Sequence, residues 1–183
     1  MYGLVNKAIH DMVCENFGED VWEQIRQKAG VEEETFISME TYPDAVTYQL
    51  VGAASDVLDT PATDILQAFG RYWTVYTAEE GYGDLLNMSG HTIQEFLSNL
   101  DEMHTRVSLS FPQLEPPSFE CTEVTDESLN LHYYSHREGL AHLVIGLLYG
   151  LGERFKVGVE VEQTADRNDG ADHDIFAIKL DKK

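Results

Sequence analysis

The segment EGLAHLVIGLLYGL, residues 138–151, is apolar at almost every position. Its length and composition predict a helix with no face left for water, so it has to lie inside the fold. What flanks it fixes the fold class. Upstream, SFECTEV and LNLHYYS alternate as strands about a turn at Thr125-Asp126-Glu127, and downstream KVGVEVEQT and DIFAIKL do the same about ADRNDGAD. A buried helix between two hairpins calls for an antiparallel sheet.

The first 110 residues have a different texture. Leu4, Val5, Ala8, Ile9, Met12 and Val13 recur at helical spacing as far as Phe17-Gly18, and VWEQIRQKA forms a second helix that stops at Gly30. AVTYQLVGAASDVL is a third. Thr60-Pro61 reads as an N-cap followed by a proline in the first helical position, opening ATDILQAFGRYWTVYTAEE. EGYGD is a glycine-rich break, HTIQEFLSNLDEMHTRV reads as one amphipathic helix, and FPQLEPPSF is a connector. Helices first and a sheet afterwards give an α+β fold in a single domain over 1–183, helical over about 1–60 and mixed over about 61–183.

The net charge of −21 argues against nucleic acid and anionic membranes as partners, since both require basic patches. The amino terminus has no signal-peptide pattern and no run of 18 apolar residues occurs, so a cytoplasmic protein is expected. Cys14 and Cys121 make neither a CxxC pair nor a disulfide framework and are expected as thiols.

Two features carry chemistry. Ile93, Leu97, Leu100, His104 and Val107 step along one helical stripe, which puts a histidine on an apolar face. It is either a core histidine bonded to a backbone carbonyl or an axial metal ligand, because a neutral imidazole in an apolar pocket suits heme iron. In LHYYSHREGL, a continuing strand would align Tyr133, Ser135 and Arg137 on one face. That row is either a strand-end polar face, with Ser135 capping the next helix, or an anion clamp in which a planar guanidinium grips a carboxylate. A heme needs both an axial ligand and a clamp for its propionates. Other arrangements are weaker. Ser135 and His136 lack a GxSxG elbow, Asp172-His173-Asp174 lies beside a turn, and no GxGxxG or phosphate loop occurs.

MYGLVNKAI, VWEQI, YQLVGAAS, LQAFG, FLSNLDEMH, PPSF and HYYSHREGL together resemble the H-NOX (heme-nitric oxide/oxygen-binding) family, which includes the heme domain of soluble guanylate cyclase. The resemblance spans essentially the whole chain. It implies heme b held between a helical subdomain and the sheet, with His104 as iron ligand and Tyr133, Ser135 and Arg137 as propionate clamp. Pro117 would press on the porphyrin, and Met1, Leu4, Trp73 and Leu143 would line the gas-binding side. In the family, oxygen-binding members carry a tyrosine where Leu143 aligns here. Dioxygen on ferrous heme gathers negative charge and needs a donor, whereas NO and CO tolerate apolar pockets. The resemblance thus implies a non-enzymatic sensor of NO and CO that regulates a separate protein, such as a histidine kinase, a cyclic-dinucleotide enzyme or a cyclase. The alternatives are an oxygen-responsive sensor and a heme-free interaction module.

Overall fold

The computed structural model describes residues 1–182. Four helices open the chain: α1 (Gly3–Phe17), α2 (Glu19–Ala29), α3 (Asp44–Leu58) and α4 (Ala62–Thr77). Gly18 turns α1 into α2 at φ +87°, and Gly30 ends α2 in the left-handed region, its N–H reaching the Gln27 carbonyl at 3.1 Å. The cap expected at Thr60 is not made. Its hydroxyl donates to the Leu58 carbonyl at 3.0 Å, and the first turn of α4 closes on the Pro61 carbonyl, which accepts from the Asp64 N–H at 2.9 Å and the Ile65 N–H at 3.1 Å.

After α4 the glycine-rich break kinks at Gly81 (φ +99°) and leads into α5 (Gly83–Met88). The amphipathic segment expected as one helix is two, α6 (Ile93–Ser98) and α7 (Leu100–Ser110). Thr92 caps α6 by accepting from the Glu95 N–H at 3.2 Å, while the Glu95 carboxylate accepts from the His91 N–H at 2.8 Å. Asn99 breaks the run at φ −102°, ψ 6°. Its side-chain amide donates to the Ser89 carbonyl at 2.9 Å, a tertiary bond that periodicity does not encode. The break starts His104 on a helix of its own.

The sheet contains β1 (Ser118–Thr122), β2 (Ser128–Tyr134), β3 (Val157–Ala165) and β4 (Asp174–Lys182) in the order β1-β2-β4-β3, antiparallel throughout. The strand β4 pairs with both β2 and β3, so the two expected hairpins fuse into one sheet. Leu129, Leu131 and Tyr133 on β2 and Phe176, Ile178 and Leu180 on β4 alternate inward. The expected buried helix is α8 (Ala141–Phe155), between β2 and β3. The fold is α+β.

Two hydrophobic clusters result. One gathers α1 to α4 around Ile9, Ile25, Leu50 and Phe69; the other gathers α6, the sheet and α8 around Phe96, Leu131, Leu148 and Phe176. They meet where α4 packs on α8, backbone against backbone. A Cβ on Gly70 would strike the Leu143 carbonyl, one on Gly146 the Gln67 carbonyl, and one on Gly150 the Thr74 hydroxyl. Backbone cannot swing aside as a side chain can. Gly146→Ala is therefore expected to destabilise the protein by about 1–3 kcal/mol through overpacking. Gly52→Ala, on α3 where a Cβ meets only the open cavity, should in heme-free protein be neutral or stabilising by up to about 1 kcal/mol. Urea unfolding midpoints compare the two.

Candidate functional site

The two clusters enclose a cavity of about 490 Å³, within the size range of small-molecule and cofactor sites. The first cluster supplies Val5, Val51, Leu66, Phe69, Trp73 and Leu143; the second supplies Leu97, Leu100, Met103 and Phe119, with Pro117 beside them in the lining. His104 belongs to the second wall. Met1, Tyr48, Tyr133, Ser135 and Arg137 also face the same cavity. Of the residues singled out from sequence, Leu4 packs into the first cluster and the wall position falls to its neighbour Val5. Tyr2 bridges to Thr41 and the Gly3 N–H bonds to Glu40, and this anchorage sets the rotation at which α1 starts.

His104 is largely buried, and its Nδ1 makes no hydrogen bond of normal geometry among the described residues, although the Pro117 backbone comes close enough to pull on the ring. Burial pushes the imidazole below its ordinary range, against the opposing pull of Asp101 and the Pro117 backbone, so the ring is held neutral. A neutral imidazole keeps a lone pair for a metal. A core histidine placed only for packing would have its nitrogens satisfied, since an unpartnered buried polar atom costs about 1–3 kcal/mol. One turn before it, the Asp101 carboxylate accepts from the Ser118 hydroxyl at 2.6 Å and the Phe119 N–H at 2.8 Å, tying α7 to β1. The Phe119 ring lies 5.9 Å from that of His104 and 5.4 Å from that of Tyr133.

Tyr133, Ser135 and Arg137 do reach one cavity, though not by strand alternation. The strand ends at Tyr134. Ser135 opens a turn in which its Oγ accepts from the Arg137 N–H at 3.1 Å, and Gly139 follows at φ +74°. The turn brings Ser135 and Arg137 back to the side of Tyr133, and Ser135 does not cap α8. Burial pushes the Tyr133 phenol up, with Ser135 pulling the other way, so it stays a neutral donor.

Arg137 shows a partner that local sequence could not reveal. Its Nε donates to Asp44 Oδ2 at 2.7 Å, and one terminal nitrogen donates to the Glu115 carbonyl at 2.8 Å. The remaining terminal nitrogen has no partner among the described residues. Asp44 in turn takes the amino-terminal ammonium of Met1 on Oδ1 at 2.5 Å. The carboxylate thus aims Arg137 from the first cluster across to the polar edge.

The hydroxyls on the walls are mostly spent. Thr47 donates to Asn6 Oδ1 at 2.7 Å, Thr74 to the Arg71 carbonyl at 2.9 Å, Thr77 to the Trp73 carbonyl at 2.7 Å and Tyr48 to the Glu138 carbonyl at 2.9 Å. Leu143 faces the cavity, whereas the adjacent His142 turns its Nδ1 to the Gln67 amide at 3.1 Å. The gas-side candidates therefore offer little hydrogen bonding beyond the Trp73 indole. The weaker arrangements dissolve. His136 reaches Glu115 at 3.5 Å, and Asp174 accepts from Gln163 and from the Arg167 N–H, each at 3.0 Å.

Residues 2–163 match the Haem-NO-binding family. Soluble guanylate cyclase gcy-33 of Caenorhabditis elegans is 33% identical over 164 residues, covering 88% of this chain and 17% of its own. For gcy-34 of the same organism the identity is 32%, over 98% of this chain and 28% of its own. Guanylate cyclase soluble subunit beta-2 of Rattus norvegicus is 32% identical over 62% of this chain and 18% of its own. The chain spans less than a third of these relatives. Among solved structures, an H-NOX protein from S. oneidensis in the Fe(II)NO ligation state superposes with TM-score 0.90 at 22% identity, all of both chains being covered. The Fe(II) unliganded H-NOX protein from K. algicida gives 0.88 at 25% identity, over 100% of this chain and 98% of its own.

Burial by itself would raise the Asp44 carboxyl, but the Met1 ammonium and Arg137 hold it below its ordinary value. A depressed folded-state pKa contributes stability that is present above the unfolded value of about 3.9 and is lost as pH falls through the folded value. Asp44→Asn should unfold at lower urea than wild type at pH 7, and the gap should start to narrow below about pH 4 and close once the pH falls past the depressed folded value. A gap that persists in acid would point to a cause other than the carboxylate's charge.

Proposed function

The chain belongs to the Haem-NO-binding family, the H-NOX domains, and from that premise we propose that it is a ferrous heme sensor of NO and CO that reports to a separate signalling protein. Domains of this family bind heme and act as gas-sensing units, homologous to the heme domain of soluble guanylate cyclase, without being catalytic themselves. The heme-free reading falls with that membership.

The residues present fit the cofactor. An apolar cavity takes the macrocycle, an unpartnered neutral histidine offers a lone pair, and a neutral phenol, a hydroxyl and a guanidinium gather at its polar edge. In this proposal His104 ligates the iron of heme b, and Tyr133, Ser135 and Arg137 donate to the propionates. Pro117, which lines the same cavity as His104, would lie against the ring. When bound, heme supplies the coordination position at which a diatomic gas is captured.

The choice among gases rests on one observation: the hydroxyls of Thr47, Tyr48, Thr74 and Thr77 already donate elsewhere, and Leu143 has nothing to donate. A ligand that needs a donor finds little in such walls; NO and CO do not need one. The Trp73 indole N–H favours a second reading, an oxygen-responsive sensor, and the same experiment separates the two. In ferrous protein, wild type in air is expected to keep its unliganded visible spectrum and to shift with NO and with CO. Leu143→Tyr should gain an oxygen-dependent shift. A wild type that shifts in air would overturn the preference for NO, and a purified protein with no Soret band would overturn the heme assignment.

Signalling would run through α7. His104 tethers that helix on one side, and Asp101 ties it to β1 on the other. A gas that loosens the histidine bond moves the equilibrium only by its differential affinity for the tethered and released states. Release would leave α7 tied to β1 by Asp101 and to the second cluster by Leu100 and Met103, and its exposed face, with Glu102, Thr105, Arg106 and Leu109, is what a partner would read. The partner would be a histidine kinase, a cyclic-dinucleotide enzyme or a cyclase; the relatives named as cyclases favour the last. A cytoplasmic location is part of the same proposal. In His104→Gly, with imidazole supplied to retain the heme, amide exchange along residues 100–110 should rise to the level of NO-bound wild type. Exchange matching the unliganded protein would rule out the tether.

A further inference from the structure

Outside the lining of the cavity, the corner between α1 and α2 brings together three side chains that the proposed sensing site does not use. His10 and Cys14 lie one turn apart on α1, and Glu19 opens α2 immediately after the Gly18 turn. The His10 Nε2 to Cys14 Sγ separation is 3.5 Å, and one donor atom from each of the three lies within 4.8 Å of the others. We propose that His10 Nε2, Cys14 Sγ and the Glu19 carboxylate form a site for one divalent transition-metal ion of the zinc type, with a fourth position open to water.

The geometry is close to what such an ion requires. Zinc–nitrogen and zinc–sulfur bonds of about 2.0–2.1 and 2.3 Å at a tetrahedral angle put the two donors about 3.6 Å apart. The observed 3.5 Å needs almost no rearrangement. Glu19 is exposed and can close the remaining distance by a rotamer change.

The orientation of His10 is fixed as well. Its Nδ1 lies 2.7 Å from Asp11 Oδ1, and a carboxylate there accepts from a protonated Nδ1, leaving the lone pair on Nε2, which faces Cys14. Metal-bound histidines are usually supported by such a carboxylate. Asp11 is itself anchored by Lys7 at 2.8 Å, and the Trp22 ring stands edge-on to the imidazole at 4.9 Å. Imidazole and thiolate together select zinc-like ions over calcium or magnesium, which want oxygen donors. Electrostatics point the same way. The carboxylates of Glu19, Asp11 and Glu15 lie near Cys14 and favour a cation there. Binding would release the thiol proton to solvent and join α2 to α1 across the Gly18 turn.

Zinc titrated into the reduced, heme-loaded protein, in competition with a chromophoric chelator, tests this. One zinc per chain is expected, and zinc-edge X-ray absorption should show a single sulfur neighbour at about 2.3 Å. Cys14→Ser and His10→Gln should each weaken binding by roughly tenfold or more, while His132→Gln, at the separate His132–His173 pair, should leave it unchanged. The sulfur distance is read on wild type alone, so it stands even if a variant folds poorly. No stoichiometric zinc, a coordination shell without sulfur, or binding indifferent to Cys14 and His10 would overturn the site.

Discussion

The contact between α4 and α8 is the constraint on which the rest depends. Gly70, Gly146 and Gly150 let two backbones touch, and this closeness positions both the helical layer and the sheet relative to the space between them. Leu143 and Leu147 on α8 and Phe69 and Trp73 on α4 all line the cavity, so the separation of these helices sets its shape. Close-packed interiors do not deform smoothly. A cofactor held by both walls would therefore feel the two clusters as opposed rigid jaws.

The polar edge is held by a different kind of force. Asp44 sits at the start of α3 in the first layer, yet it grips both the chain's own ammonium and Arg137, which follows the sheet. One carboxylate thus links three distant parts of the chain and orders the guanidinium while leaving part of it unpartnered. Pre-ordering of this kind lowers the entropy cost of binding an anion. In the proposed sensor, anything that shifts Arg137 is felt at Asp44 and at the amino terminus.

At the other end of the cavity, His104 is constrained from both sides. Burial keeps it neutral, and Asp101 fixes the helix that carries it against β1. The break at Asn99 makes α7 a short separate lever whose movement need not be transmitted to α6. A longer, continuous helix would resist such a shift because its α6 half is buried in the second cluster.

Sequence determined the kinds of element and much of the chemistry. Helical periodicity, the stops at Gly18 and Gly30, the alternating strands and the apolar residues 141–151 all reflect local exposure, which a chain writes into its own spacing. The residue types of the proposed heme site, His104 with Tyr133, Ser135 and Arg137, were likewise visible as a histidine on an apolar stripe and a donor row. Their convergence was not. Ser135 and Arg137 reach the cavity through a turn rather than a pleat, and Asp44 meets Arg137 across 93 residues of chain. The directions in which Thr47, Thr74 and Thr77 spend their hydroxyls, the choice of Val5 over Leu4 for the wall, and the meeting of Glu19 with His10 and Cys14 also belong to the tertiary structure. Periodicity records which side of an element faces inward; it cannot record which distant group waits there, because that partner is chosen by packing over the whole chain.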